Sequence, residues 1–196
     1  PTYVSFDVTV KGRAAHAGVE PEKGLSAIRI ASEIISDLPQ GRMDEETTFN
    51  VGMINGGTVR NAVPSEAIFG GEFRSRNVET LDLLQLQFLK TLEDARKRYR
   101  DAAILEDVEV MFHMYNLDPN DPIVRLALGV MEGMNLTPNI QPSGGGTDAN
   151  AMRLHGIECV VVGMSTNQMH TVNEYVVIPD LVTTARFCQS VITANF

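Results

Sequence analysis

Four histidines, His16, His113, His155 and His170, are the side chains of this sequence best suited to hold a metal or move a proton. None belongs to an H-E-x-x-H pair, and the two cysteines, Cys159 and Cys188, lack zinc-finger spacing. There is no G-x-S-x-G elbow, and Gly144-Gly145-Gly146 is not followed by the Lys-Ser/Thr of a phosphate-binding Walker loop. An acyl-enzyme or a nucleotide hydrolase is therefore poorly supported. His170 stands out by its place. It follows an apolar run, residues 158–163, with small polar neighbours Thr171 and Asn173 and then Glu174. Open α/β sheets put their ligand crevice just beyond such strand ends. A metal ligand fits there; a surface-loop histidine is the plain alternative.

Other residues carry weaker signals. The stretch Gly144-Gly145-Gly146-Thr147-Asp148 leads into a helix N-terminus, where backbone N–H groups can hold a carboxylate or phosphate; an ordinary flexible loop is the alternative. His16 lies among Ala14, Ala15, Ala17 and Gly18, small enough to let another molecule reach the imidazole, or it is a loop histidine with no task. Asn61 follows the Gly56-Gly57 turn and precedes Pro64, which also reads as turn chemistry. Arg74 ends a strand, where a sheet-edge solubility charge would serve equally. Glu45-Glu46 resembles a general base beside a metal ligand, but its polar surroundings read as a solvated turn. His113 falls on the polar phase of a strand and His155 at a helix C-terminus, where it complements the dipole.

The elements that must position these residues follow from periodicity. Residues 3–10 alternate as a half-buried strand. Pro21 opens a helix with Leu25, Ile28, Ala31, Ile35 and Leu38 at helical spacing. Strands follow at 47–54 and 67–73, then a long helix over 78–99 striped by Leu81, Leu84, Phe88, Leu92, Ala95 and Tyr99. A fourth strand carries Val108, Val110, Phe112 and Met114. This β-α-β-β-α-β order is the ferredoxin-like split βαβ. Beyond a turn-rich linker at 118–122 come helices at 123–134, 148–154 and 179–193, and a buried strand over 158–163. The expected fold is α/β: a ferredoxin-like domain over 1–117, then part of an α/β domain over 118–196.

The whole composition narrows the classes further. The chain has 196 residues, 43% hydrophobic and 21% charged, which suits a globular protein. A net charge of -9 argues against a nucleic-acid partner, since phosphate binding needs clustered Lys and Arg. No apolar run approaches the roughly 20 residues that span a bilayer. Without a visible signal peptide, and with cysteines that read as reduced, the expected location is cytoplasmic. The chain starts at Pro1 and enters a strand at once, as an excised or processed piece would.

Several segments together resemble a known family. They are Gly12-Arg13-Ala14-Ala15-His16-Ala17-Gly18, Pro21-Glu22-Lys23-Gly24, Asn55-Gly56-Gly57-Thr58, Asn61-Ala62-Val63-Pro64 and Glu72-Phe73-Arg74-Ser75. These look like the lid, or dimerisation, domain of the co-catalytic dizinc exopeptidases: peptidase T, carboxypeptidase G, aminoacylase and succinyl-diaminopimelate desuccinylase. Gly145-Gly146-Thr147-Asp148-Ala149-Asn150 and Met169-His170-Thr171-Val172-Asn173-Glu174 resemble the family's C-terminal catalytic segments, and the peptidase T-like branch is the most similar. The resemblance implies zinc-dependent hydrolysis of short peptides by a homodimer. It makes His170 a zinc ligand, and His16 an oxyanion donor reaching the partner subunit's site. It gives Asn61 and Arg74 to substrate orientation, Arg74 holding a carboxylate in its fork. Gly145, Gly146 and Thr147 would line the peptide site.

One departure qualifies this. The family's catalytic domain begins before the lid with a His-x-Asp ligand pair, a bridging Asp and a Glu-Glu pair, and no His-x-Asp occurs here. A catalytic zinc takes three protein ligands plus water, and only His170 is recognisable. The resemblance therefore implies a truncated form, an intact lid plus the remainder of the catalytic domain. Such a chain is inactive alone, does not bind tightly the two zinc ions of the complete enzyme, and has an open strand edge and an exposed apolar face. The alternative from another class is a non-catalytic dimerisation or interaction module working through its sheet; a ligand-sensing regulatory domain explains the second half less well.

Overall fold

The computed structural model describes residues 1–194. The chain divides into two compact units: Pro1–Met114 with Gly144–Gly146, and Tyr115–Ser143 with the residues from Thr147 onward.

In the first unit, β1 (Thr2–Lys11) keeps strict alternation. Val4, Phe6, Val8 and Val10 are buried, while Ser5, Asp7 and Thr9 take the opposite face. Around it lie β2 (Gly41–Arg42), β3 (Thr48–Gly56), β4 (Glu66–Ser75) and β5 (Ala103–Phe112), in the order β2-β3-β4-β1-β5 with every pairing antiparallel. Without the two-residue β2, this is the ferredoxin-like order expected from the sequence. Helices α1 (Ala27–Asp37) and α2 (Val78–Arg98) complete one core with the inward residues of the strands. Its centre is aromatic: Phe6 meets Phe88 at 4.7 Å between ring centroids, and Phe49 stacks on Phe73 at 5.7 Å. A one-residue slip of β1 would turn Phe6 out of this cluster and Asp7 into it, so the alternation fixes the register.

α2 begins at Asn77, whose side chain accepts the N–H of Thr80 at 3.0 Å, and it buries Leu81, Leu84, Phe88, Leu92 and Ala95. At its far end Arg96 donates to the Ile104 carbonyl at 2.9 Å and pairs with Glu106. Tyr99 donates to Glu33 of α1, which also accepts from Arg29 and Arg98, tying the two helices together.

Three expectations need correction. Pro21 does not open the long helix. It starts a short 3-10 turn, Pro21–Lys23, and α1 begins only after Ser26, whose hydroxyl accepts the Arg29 N–H. Between them Leu25 is held in a backbone bridge with Arg13, at 2.8 and 2.9 Å, so this stretch cannot coil. The bridge presses on Gly12, where a Cβ would lie 2.0 Å from the Leu25 carbonyl oxygen. The buried stripe of α1 is accordingly Ala27, Ile30, Ala31 and Ile34, and Ile28 is exposed. The fourth strand starts earlier than expected and buries Ile104; a register shift opposite Tyr3 and Val4 leaves Met111 without a direct partner.

The second unit holds α3 (Pro122–Gly133), α4 (Asp148–Leu154), the small hairpin β6 (Thr166–Asn167) and β7 (Tyr175–Val176), and α5 (Ile178–Thr193). The third correction falls here: residues 158–163 form no strand. An apolar run becomes a strand only where a neighbour can take its N–H and C=O groups, and none of the described residues pairs with it. Among the described residues this unit buries four hydrophobic side chains, Val124, Ala127, Ala149 and Phe187, while Leu154, Ile157 and Ile178 stay exposed. No described helix is long and apolar enough to cross a membrane.

Candidate functional site

His16 and Asn61 are brought together by backbone pairing. Past the end of β1 the chain runs antiparallel to the segment that enters β4. Gly12 donates to the Ser65 carbonyl at 2.8 Å, Val63 to Ala15 at 2.9 Å and Ala17 to Asn61 at 2.9 Å, and His16 bridges Ala62. The two candidates thus stand on adjoining strands of a short ladder, and both are exposed. Beyond it the chain turns, with the N–H groups of Val19 and Glu20 both on the His16 carbonyl. The Gly18 N–H donates to His16 Nδ1 at 3.2 Å.

Arg74 lies near the opposite end of the sheet. Lys11 pairs with Glu66 at one end of the β1–β4 ladder, and Tyr3 pairs with Arg74 at the other. Eight residue steps separate Glu66 from Arg74, about 26 Å of extended chain. β4 is flanked by β1 and β3, so the sheet-edge explanation for Arg74 does not hold. Its guanidinium lies over the Tyr3 ring, 4.4 Å from the centroid, and donates to Glu72 at 2.6 Å and to the Gly144 carbonyl at 3.4 Å. Arg74 Nε is buried with no hydrogen-bond partner among the described residues. Burial first, then the neighbouring Glu72, pushes the Tyr3 phenol above its ordinary pKa. Tyr3 packs in turn on Phe112 at 5.2 Å. Phe112 also crowds Gly146: a Cβ there would lie 1.8 Å from its ring, so the ring would have to move to admit a side chain. Glu72, Tyr3 and Phe112 were missed as neighbours of Arg74. Glu72 sits two residues before it, on the same strand face, so the period of two carried the signal.

The Thr147 hydroxyl caps α4, accepting the Ala149 N–H at 3.3 Å, while Asn150 accepts the Thr147 N–H at 3.1 Å. Of the N–H groups at this helix N-terminus, those of Thr147 and Ala149 are thus taken up by the capping box. His170 lies in the loop joining β6 to β7 rather than after a buried strand, and it is exposed. Its backbone is left-handed, with φ 64°, as are Ser165 at 63° and Gln168 at 52°. The His170 N–H donates to Glu174 Oε2 at 2.8 Å, and Thr171 binds back to the Gln168 carbonyl at 2.8 Å. Glu174 is a further contributor that the loop sequence alone did not assign. A cavity of about 210 Å³ in this unit is lined by Met131, Leu136, Val162 and Phe187 together with Ser165 and Asp180, which share a 2.6 Å hydrogen bond; His170 is not in its wall.

Glu45 and Glu46 occupy an exposed turn between β2 and β3, His113 is exposed just past β5, and His155 ends α4. Among the described residues no three His, Cys, Asp or Glu side chains gather closely enough to hold a metal ion. The residues present therefore do not by themselves fit a zinc pair.

Comparison with known proteins agrees with this architecture. Residues 2–100 match the family described as the peptidase dimerisation domain. A Bacillus subtilis protein called YqjE, itself uncharacterised, is 38% identical over 192 residues, 98% of this chain and 52% of that protein. The crystal structure of the aminopeptidase PepT from Bacillus cereus superposes with a TM-score of 0.78 at 34% identity, covering 97% of this chain and 51% of that one. A tripeptidase from Staphylococcus aureus gives 0.83 at 29% identity over the same shares. The chain spans about half the length of these relatives. With the β-α-β-β-α unit carrying that family's match, the chain belongs to the M20 peptidase-dimerisation family.

Proposed function

We propose that this chain serves the metal-dependent hydrolysis of short peptides, in the manner of a tripeptide aminopeptidase, within a homodimer whose active sites are shared between copies. The observation that carries the proposal is the separation of the two candidate clusters within the first unit. A tripeptide extends to only about 11 Å, whereas the His16–Asn61 ladder and Arg74 lie at opposite ends of β4. One substrate cannot touch both clusters of one copy. If both serve the same peptide, the His16 end comes from the partner. The likeness to an aminopeptidase and a tripeptidase over 97% of the chain supports the substrate class.

In this scheme His16 donates a hydrogen bond to the scissile carbonyl oxygen as negative charge develops. Asn61 orients the peptide beside it, and Arg74 holds a carboxylate. Arg74 has Glu72 on one edge of its fork, so a substrate carboxylate approaches the other edge or displaces Glu72. Gly145, Gly146 and Thr147 border the peptide. Two zinc ions belong to the complete enzyme, where His170 contributes one ligand. The other ligands and the general base come from outside the described residues.

The assembled enzyme, supplied with zinc, is expected to release the N-terminal residue from tripeptides and to leave amino-blocked peptides intact. Cleavage of acylated amino acids with tripeptides untouched would contradict the proposal and favour a deacylase. No hydrolysis of either would favour a dimerisation module without chemistry.

A further inference from the structure

His16 is exposed, and its ring makes one hydrogen bond among the described residues, accepted at Nδ1 from the Gly18 backbone N–H at 3.2 Å. A backbone N–H can only donate, so Nδ1 must present a lone pair there. In a neutral imidazole the single proton then sits on Nε2, across the ring. We infer that the Gly18 N–H fixes His16 in the Nε2–H tautomer, so that this loop presents one N–H donor to an oxygen atom of an incoming molecule. Gly18 is a positioning residue that acts through His16.

The support is made of backbone. Val19 and Glu20 donate to the His16 carbonyl at 3.2 and 3.0 Å, and this turn carries the Gly18 N–H back over the ring. On the other side Ala15 and Ala17 are pinned by Val63 and Asn61, each at 2.9 Å. No flexible side chain is needed to hold either partner. The opposite tautomer would leave the Gly18 N–H facing another N–H and aim the Nε2 lone pair at the incoming oxygen, which repels developing negative charge. A Cβ at position 18 would meet only His16 Cε1 at 3.7 Å and Nδ1 at 3.8 Å, ordinary contacts. Alanine there keeps the N–H, and proline removes it.

The use of this donor rests on the hydrolytic function proposed above; its tautomeric state does not. Long-range proton–nitrogen correlation spectra of the nitrogen-labelled chain, at about pH 8 where an ordinary imidazole is neutral, read it directly. The His16 signals are identified by their loss in His16→Ala. The expected spectrum has a pyridine-type Nδ1 and a pyrrole-type Nε2 as a single species, unchanged in Gly18→Ala. In Gly18→Pro the Nδ1 signal shifts and the second tautomer appears. A proton on Nδ1 in the unaltered chain overturns the inference, as does a Gly18→Pro spectrum identical to that of Gly18→Ala. Should Gly18→Pro not fold, the unaltered chain and Gly18→Ala still decide. If the spectra hold but His16→Ala leaves kcat unchanged in the assembled enzyme, the tautomer stands and the oxyanion role of His16 falls.

Discussion

His16 and Arg74 are presented in opposite ways. The imidazole stands on an exposed ladder with its Nε2 edge unpaired among the described residues, whereas the guanidinium is packed on Tyr3 and already engaged by Glu72. A donor that meets charge only as it forms should act on turnover rather than on binding. In the assembled enzyme His16→Ala is therefore expected to lower kcat by about 10²–10³, as loss of one oxyanion donor does, with KM little changed. Steady-state kinetics on a tripeptide check this, and a change confined to KM would contradict the role. The left-handed backbone of His170 has a different logic. Its N–H is tethered to Glu174 only four residues on, so the loop holds its own shape through local bonds.

The core elements follow from patterns that local physics can read. Phe6 is 2% exposed at the centre of five phenylalanines. Phe6→Ala is expected to destabilise the chain by about 3–5 kcal/mol, measured by urea unfolding; a loss under about 1 kcal/mol would mean that the cluster is not the core. Glu33 joins α1 to α2 at the surface. The hydrogen bond from Tyr99, then that from Arg29, hold its carboxyl below the ordinary value of 4.5. The folded pKa lies under the unfolded one, so its stabilisation is full above 4.5 and is lost as the pH falls through the lower folded value. Glu33→Gln should thus lower Tm at neutral pH and converge with the unaltered chain in acid. Thermal unfolding across pH tests this; a gap that stays constant or widens as the pH is lowered through the acid range would contradict it.

β1 and α2 were legible in the sequence because alternation and the Leu81–Ala95 stripe are local signals. The start of α1 was not, because the Leu25–Arg13 bridge is a tertiary pairing that overrides the helix signal of Pro21. Residues 158–163 were misread for a related reason: an apolar run reports that burial is favourable, not that a ladder partner is present. At the site, residue types pointed to His16, Asn61, Arg74 and His170 one by one. That His16 and Asn61 adjoin, and that Arg74 shares its face with Glu72, depend on strand register.

At the scale of the molecule, the first unit has a core of nineteen buried hydrophobic residues, while the second buries four among the described residues. Folding strength therefore resides in the ferredoxin-like unit, which also carries the His16–Asn61 ladder and Arg74 at its two ends. If active sites are shared between copies, two differently damaged copies can repair each other. Subunit mixing of His16→Ala and Arg74→Ala enzymes, each nearly inactive alone, tests this most directly. Random re-pairing makes half the dimers mixed, each with one intact site of two, so about a quarter of the unaltered activity should return. No recovery, with mixed dimers shown to have formed, would contradict the shared site.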